Sequence, residues 1–163
     1  MCTAGHSLLF IIVEWSPLVI SALFGVLASL VAAVTYAFVA DRIKGYRLKK
    51  RFSKLKGRYV QCNLQGEPFE GRFTDITKVQ RNLLTVEGDD ATPDKWHSTI
   101  LMDDRFPGFG FGQYQYQYSN RPDCGRHEVQ VVDDGKIIFV QAQNTSHGQN
   151  TTFAYLWKKV GKR

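Results

Sequence analysis

The spacing of apolar residues changes once along the chain, near residue 57. Residues 18–40 form an apolar run of twenty-three residues without a charged side chain. A helix of that length spans about 34 Å, which is enough to cross a hydrocarbon core of roughly 30 Å. Beyond residue 57 the apolar positions recur every second residue, as in strands with one buried face. The pattern predicts one transmembrane helix followed by an all-β domain.

The β-rich part divides into about eight short strands separated by turn-forming residues. Asp134-Gly135 is the strongest hairpin signal, because glycine supplies the positive φ that a tight turn needs. Eight strands without a helical interruption predict an antiparallel meander, and closing it into an up-and-down barrel removes its exposed edges. The expected strands are residues 58–64, 69–79, 83–87, 96–102, 109–118, 126–132, 136–143 and 152–160.

The predicted organisation has four segments. Residues 1–17 form a short extracytoplasmic segment, residues 18–40 the transmembrane helix, residues 41–57 a basic juxtamembrane helix or linker, and residues 58–163 the barrel domain. A cleaved signal peptide is disfavoured, because no Lys or Arg precedes the apolar run and the run exceeds the usual ~7–15 residues. A hairpin of two membrane segments is a further alternative, but residues 8–13 are too short to span.

Basic residues are concentrated directly after the helix. Residues 42–58 contain nine Lys or Arg and no acid, whereas residues 59–163 carry a net charge of −1. The positive-inside rule therefore places the N-terminus outside and the barrel in the cytoplasm, at the inner membrane if the cell is bacterial. A nearly neutral domain disfavours DNA or RNA as a partner, and the basic segment suits anionic lipid headgroups. The expected headgroup contacts are Arg47, Lys49, Lys50 and Arg51.

Small residues recur every fourth position along the apolar helix. Because lipid provides no hydrophobic drive between helices, close backbone approach at small residues is what favours helix association. The pattern predicts a homo-oligomer, although small residues are also common in membrane helices that do not associate. The self-association stripe consists of Ser21, Gly25, Ser29 and Ala33.

Aromatic residues alternate along two of the expected strands. They predict either a filled barrel core or a surface that grips a planar polar ligand. An arginine beside aromatic faces would suit an anionic ligand. His127 is interpreted as a structural residue. The candidate ligand-binding residues are Tyr114, Tyr116, Arg126 and Trp157.

No catalytic pattern is evident in the sequence. The Asp pairs lie at expected turns, where Asp hydrogen-bonds the backbone. The three cysteines lack a C-x-x-C spacing, and nucleophile-elbow, zincin and phosphate-loop motifs are missing from the sequence. We therefore expect a protein that is not an enzyme and that requires no cofactor or metal.

Gly57-Arg58-Tyr59, at the expected start of the first strand, resembles the G-x-W that opens lipocalin-like barrels, with Tyr in place of Trp. In overall plan, residues 8–160 resemble the membrane-anchored β-barrel effectors of cyclic-oligonucleotide (CBASS) antiphage systems. The resemblance implies antiviral defence, in which a cytoplasmic barrel binds a nucleotide second messenger and ligand-driven oligomerisation disrupts the membrane. Members of that family typically carry two membrane segments, whereas this chain has one clear helix.

The sequence thus predicts a membrane-anchored, non-enzymatic sensor or effector whose barrel binds a small polar ligand. The alternative is a membrane-tethered protein-interaction module with a solidly packed barrel. A void lined by polar groups inside the barrel would favour the sensor.

Overall fold

The computed structural model describes residues 17–89, 95–106, 108–116, 124–146 and 149–161. The chain divides into two compact units, Met1–Arg42 and Ile43–Arg163. The expected extracytoplasmic segment, apart from its last residue, lies outside the described residues.

Helix α1 extends over Pro17–Ser53, a length of 37 residues. Pro17 suits the first helical position, since its missing N–H would have no partner there. In the described part of the chain, α1 alone is long and apolar enough to cross a membrane, a test that a signal sequence would also pass. The helix is continuous through Ser53, so the basic segment that follows the apolar run is helical for most of its length.

The last turns of α1 pack against the barrel. The buried positions Gly45 and Phe52 and the half-buried Leu48 fall on one helical face, and Leu55, in the turn that follows, is 1% exposed. The segment predicted as a basic juxtamembrane helix or linker is therefore a helix as far as Ser53, with one face packed on protein. Its apolar face is buried against protein, because the barrel end offers an apolar core at this point.

The β-domain is a closed barrel in which each strand is antiparallel to the next and β8 pairs with β1. The predicted all-β, eight-stranded up-and-down barrel is confirmed. The strands are β1 (Gly57–Cys62), β2 (Pro68–Gln80), β3 (Leu83–Asp89), β4 (Lys95–Met102), β5 (Phe109–Tyr116), β6 (Cys124–Val132), β7 (Ile137–Ser146) and β8 (Gln149–Lys159).

Large side chains inside the barrel lie opposite glycines on neighbouring strands. Gly88 pairs with Trp96, and Gly125 pairs with Tyr114. A Cβ at Gly88 would lie 1.8 Å from the Trp96 indole, and one at Gly125 would lie 2.4 Å from the Tyr114 ring. These glycines provide the space that the two aromatic rings occupy.

The barrel end next to α1 is closed. Leu55 packs over Gly135, and the Tyr59 hydroxyl donates to Leu55 O at 2.7 Å and approaches Gly135 O at 3.1 Å. The β6–β7 hairpin expected at Asp134-Gly135 is confirmed. Asp133, Asp134 and Gly135 all have positive φ, and the connection has four residues because Val132 pairs with Ile137.

Candidate functional site

A cavity of about 180 Å³ lies at the barrel end opposite α1, and we call it the mouth pocket. Its walls come from β1, β2, β4, β5, β6 and β8, so only the closed barrel assembles them. Three polar side chains line it: Gln61, Arg72 and His127. The aromatic side chains that line it are Phe69, Trp96, Tyr114, Tyr116, Phe153 and Tyr155.

Stacked and edge-on ring contacts hold the aromatic residues of the pocket. Tyr114 stacks on His127 with ring centroids 4.4 Å apart, and Trp96 meets His127 edge-on at 5.3 Å. Trp96 also stacks on Trp157 at 6.2 Å. Because such pairs restrict ring orientation as well as position, the walls around His127 are preorganised.

His127 is the most buried of the three polar side chains that line the mouth pocket. It is 2% exposed, and its Nδ1 has no hydrogen-bond partner among the described residues. Burial lowers the pKa of His127 to about 3, so the ring is neutral at physiological pH. A buried polar atom without a partner costs about 1–3 kcal/mol, a cost that a ligand hydrogen bond would offset.

Gln61 and Arg72 give the pocket different polar groups at different depths. The Gln61 amide nitrogen donates to Thr74 Oγ1 at 3.1 Å and approaches Phe73 O at 3.4 Å, which fixes the side chain. Arg72 is exposed, and its guanidinium lies 5.5 Å from the Phe69 ring centroid. Arg72 is thus a cation at the rim, available to an anionic group outside the pocket.

The structure brings together only part of the predicted ligand-binding set. Tyr114 and Tyr116 line the mouth pocket, and Trp157 lies fully buried behind Trp96. Arg126 does not join them. Residues of β6 alternate in facing, so Arg126 points outward beside an open groove of about 910 Å³ on the outer surface.

His127 and Arg72 are pocket residues that sequence reasoning missed. A signal for His127 existed, because Val129 and Val131 share its side of β6 and mark the inward face. No comparable signal singles out Arg72, which lies in the exposed first half of β2.

The self-association stripe runs along one exposed side of α1. Within it, the Ser29 hydroxyl donates to Gly25 O at 2.9 Å, so this polar group is satisfied inside the helix. Among the residues that the structure describes, no atom outside the local helix lies within 4 Å of the position that a Gly25 Cβ would take. Both the stripe and helix association remain predictions.

The predicted headgroup contacts Arg47, Lys49, Lys50 and Arg51 are all exposed. The Arg51 guanidinium also lies 3.5 Å from Asp104 O and 6.0 Å from the Phe52 ring centroid. Lipid binding by these residues remains a prediction.

Within the described ranges, no group of three or more His, Cys, Asp or Glu side chains is arranged to hold a metal ion. Comparison of the chain with protein-family models, with curated proteins and with solved structures finds no match.

Proposed function

We propose that this chain is a membrane-anchored, non-enzymatic sensor whose barrel takes the planar part of a small polar ligand into the mouth pocket and whose transmembrane helix oligomerises. The observation that carries the proposal is the buried His127, whose Nδ1 lacks a partner among the described residues inside an aromatic-walled cavity. Buried polar atoms normally have a partner, so this atom is a candidate to meet a ligand group.

The size of the pocket limits how much of a ligand enters. At about 180 Å³ it is smaller than the roughly 300 Å³ at which pockets for drug-sized ligands begin. One planar ring would therefore sit between the aromatic walls, and the remainder of the ligand would lie outside. A nucleotide divides in this way, with the base beside His127 and Gln61 and a phosphate at Arg72.

The alternative function is a tethered protein-interaction module. It is supported by the filled part of the barrel nearest the last turns of α1, where the side chains of Tyr59, Ile100 and Met102 are fully buried. A solid core of this kind needs no ligand for stability. The two functions differ in whether any small molecule stabilises the folded chain.

Thermal melting of the full chain in detergent tests the proposal. Cyclic di- and trinucleotides are the probes, since the chain resembles membrane-anchored β-barrel effectors that bind a nucleotide second messenger. A ligand at 100 times its Kd stabilises the folded state by about 2.7 kcal/mol, which raises Tm by several degrees. Tyr116→Ala and Arg72→Ala should reduce that shift through loss of a ring face and of a phosphate partner.

Arg126→Ala is the matched control, because Arg126 is an exposed arginine on the outer barrel surface. It should leave the ligand-induced shift unchanged. If no probe raises Tm, the interaction module becomes the preferred function. If Arg126→Ala abolishes the shift and Arg72→Ala does not, the ligand binds in the outer groove.

A further inference from the structure

The β4–β5 hairpin exposes four large apolar side chains on the outside of the barrel. Leu101 is 54% exposed, Phe106 66%, Phe109 47% and Phe111 58%. Leu101 and Phe111 are cross-strand partners, and the Phe109 N–H donates to Phe106 O at 3.1 Å, which brings the loop residue next to the strand. We call these four residues the hairpin patch. Its members are neighbours in space, unlike apolar residues scattered singly over a surface.

A salt bridge joins the tip of this hairpin to the start of the basic part of α1. Lys44 Nζ lies 2.6 Å from Asp104 Oδ2, and Asp104 is two residues from Phe106. Four residues lead from Ala40, the end of the apolar run, to Lys44, so their Cα atoms lie at most about 14 Å apart whatever the angle between the apolar helix and the barrel. Anchoring by residues 18–40 would therefore keep the Lys44–Asp104 pair close to the membrane surface.

We propose that the hairpin patch inserts into the headgroup and upper acyl region of the bilayer, as a second membrane contact of the chain. The partner is a lipid surface, and the inference rests on the membrane anchoring in the proposed function. Exposed aromatic and aliphatic side chains suit the boundary between headgroups and acyl chains, and a neighbouring cation such as Arg105 suits anionic headgroups. The mouth pocket lies at the other barrel end and stays free of this contact.

Bimane fluorescence of the full chain in vesicles tests the contact. Labels are attached at Phe106→Cys and Phe111→Cys in a background with Cys2→Ser and Cys124→Ser, and the buried Cys62 is retained. The vesicles contain phosphatidylcholine and phosphatidylglycerol, with or without bromine near the top of the acyl chains. We expect a blue-shifted emission and loss of fluorescence in the brominated vesicles, because bromine quenches only at contact.

Two control positions bracket the result. Leu64→Cys lies in the β1–β2 connection at the mouth end and is 54% exposed in the native chain, as Leu101 is. Its label should show neither blue shift nor quenching. Val31 lies on the transmembrane helix, and its side chain is 66% exposed in the native chain. A label at Val31→Cys should have blue-shifted emission once the chain is in vesicles, and this emission defines the signal of a lipid-facing label.

Each outcome decides between specific possibilities. Water-like emission at both hairpin positions, with a Val31 label that reports lipid, overturns the hairpin contact and leaves the anchored sensor intact. A blue shift without bromine quenching also overturns it, since a protein surface then covers the patch. If the chain fails to float with vesicles and the Val31 label reports water, the anchoring and the hairpin contact fall together.

Discussion

Substituting Gly88 with alanine should destabilise the barrel, because the added methyl group would occupy space filled by the Trp96 indole. The new Cβ would lie 1.8, 2.1 and 2.2 Å from three indole atoms. Trp96 is 4% exposed and is in ring contact with Tyr114, His127 and Trp157, so it cannot shift without moving them. Overpacking of this kind costs about 1–3 kcal/mol. In a domain of this size each 1 kcal/mol lowers Tm by roughly 4 °C, which gives a loss of about 4–12 °C.

Thermal unfolding of the detergent-solubilised chain, followed by near-ultraviolet circular dichroism, measures this loss. Gly108→Ala is the matched control, since its Cβ would lie 3.7 Å from Val131 O, an ordinary contact distance. In Gly88→Ala/Trp96→Leu the clashing indole is removed, so the double variant should lose less stability than the sum of its single variants. The steric pairing of Gly88 with Trp96 would be refuted if Gly88→Ala had the Tm of the native chain. It would also be refuted if the stability loss of the double variant equalled the sum of the losses of the two single variants.

Three further predictions concern protonation, association and topology. The pKa of His127 is about 3 in the folded chain and ~6.5 in the unfolded chain, so the contribution of the neutral ring to the free energy of unfolding is complete above pH 6.5 and decreases on acidification. In chemical denaturation, the free energy of unfolding of the wild type should decrease by about 1.4 kcal/mol more than that of His127→Gln between pH 7.5 and 5.5. Gly25→Leu should weaken helix association by ~1–2 kcal/mol in a crosslinking assay while membrane insertion persists, and an unchanged ladder would contradict the stripe. In cells carrying Cys2→Ser, an impermeant maleimide should label the exposed Cys124 only after permeabilisation, while buried Cys62 stays unlabelled in both cases.

The barrel was predictable because its strands carry a strong local signal. In β4, for example, Trp96, Ser98, Ile100 and Met102 alternate with exposed residues, and one buried face per strand is what an antiparallel barrel requires. Strand ends were less predictable. Strand β7 runs to Ser146 and β8 starts at Gln149, beyond the expected limits, because cross-strand hydrogen bonds continue after the apolar pattern stops.

The candidate site was predictable only in its aromatic part. Tyr114 and Tyr116 stand out in a strand rich in aromatic residues, and the alternation within β6 was enough to place Arg126 on the outer face. That Arg72 reaches the pocket depends on which strands meet across the barrel, and this information resides in register and shear, which no single strand encodes. The packing of Phe52 and Leu55 under the barrel was missed for a related reason, since helical spacing alone does not distinguish lipid from protein as the apolar partner.

Closure of the barrel through β1 and β8 has a consequence for biosynthesis. All other pairings join strands that are neighbours in sequence, but Tyr59 meets Lys159 across a separation of one hundred residues. During synthesis the edge of β1 that does not pair with β2 would therefore stay without its partner until β8 leaves the ribosome. If the preceding helix inserts early, the barrel would spend that interval beside the membrane, with one strand edge open to aggregation.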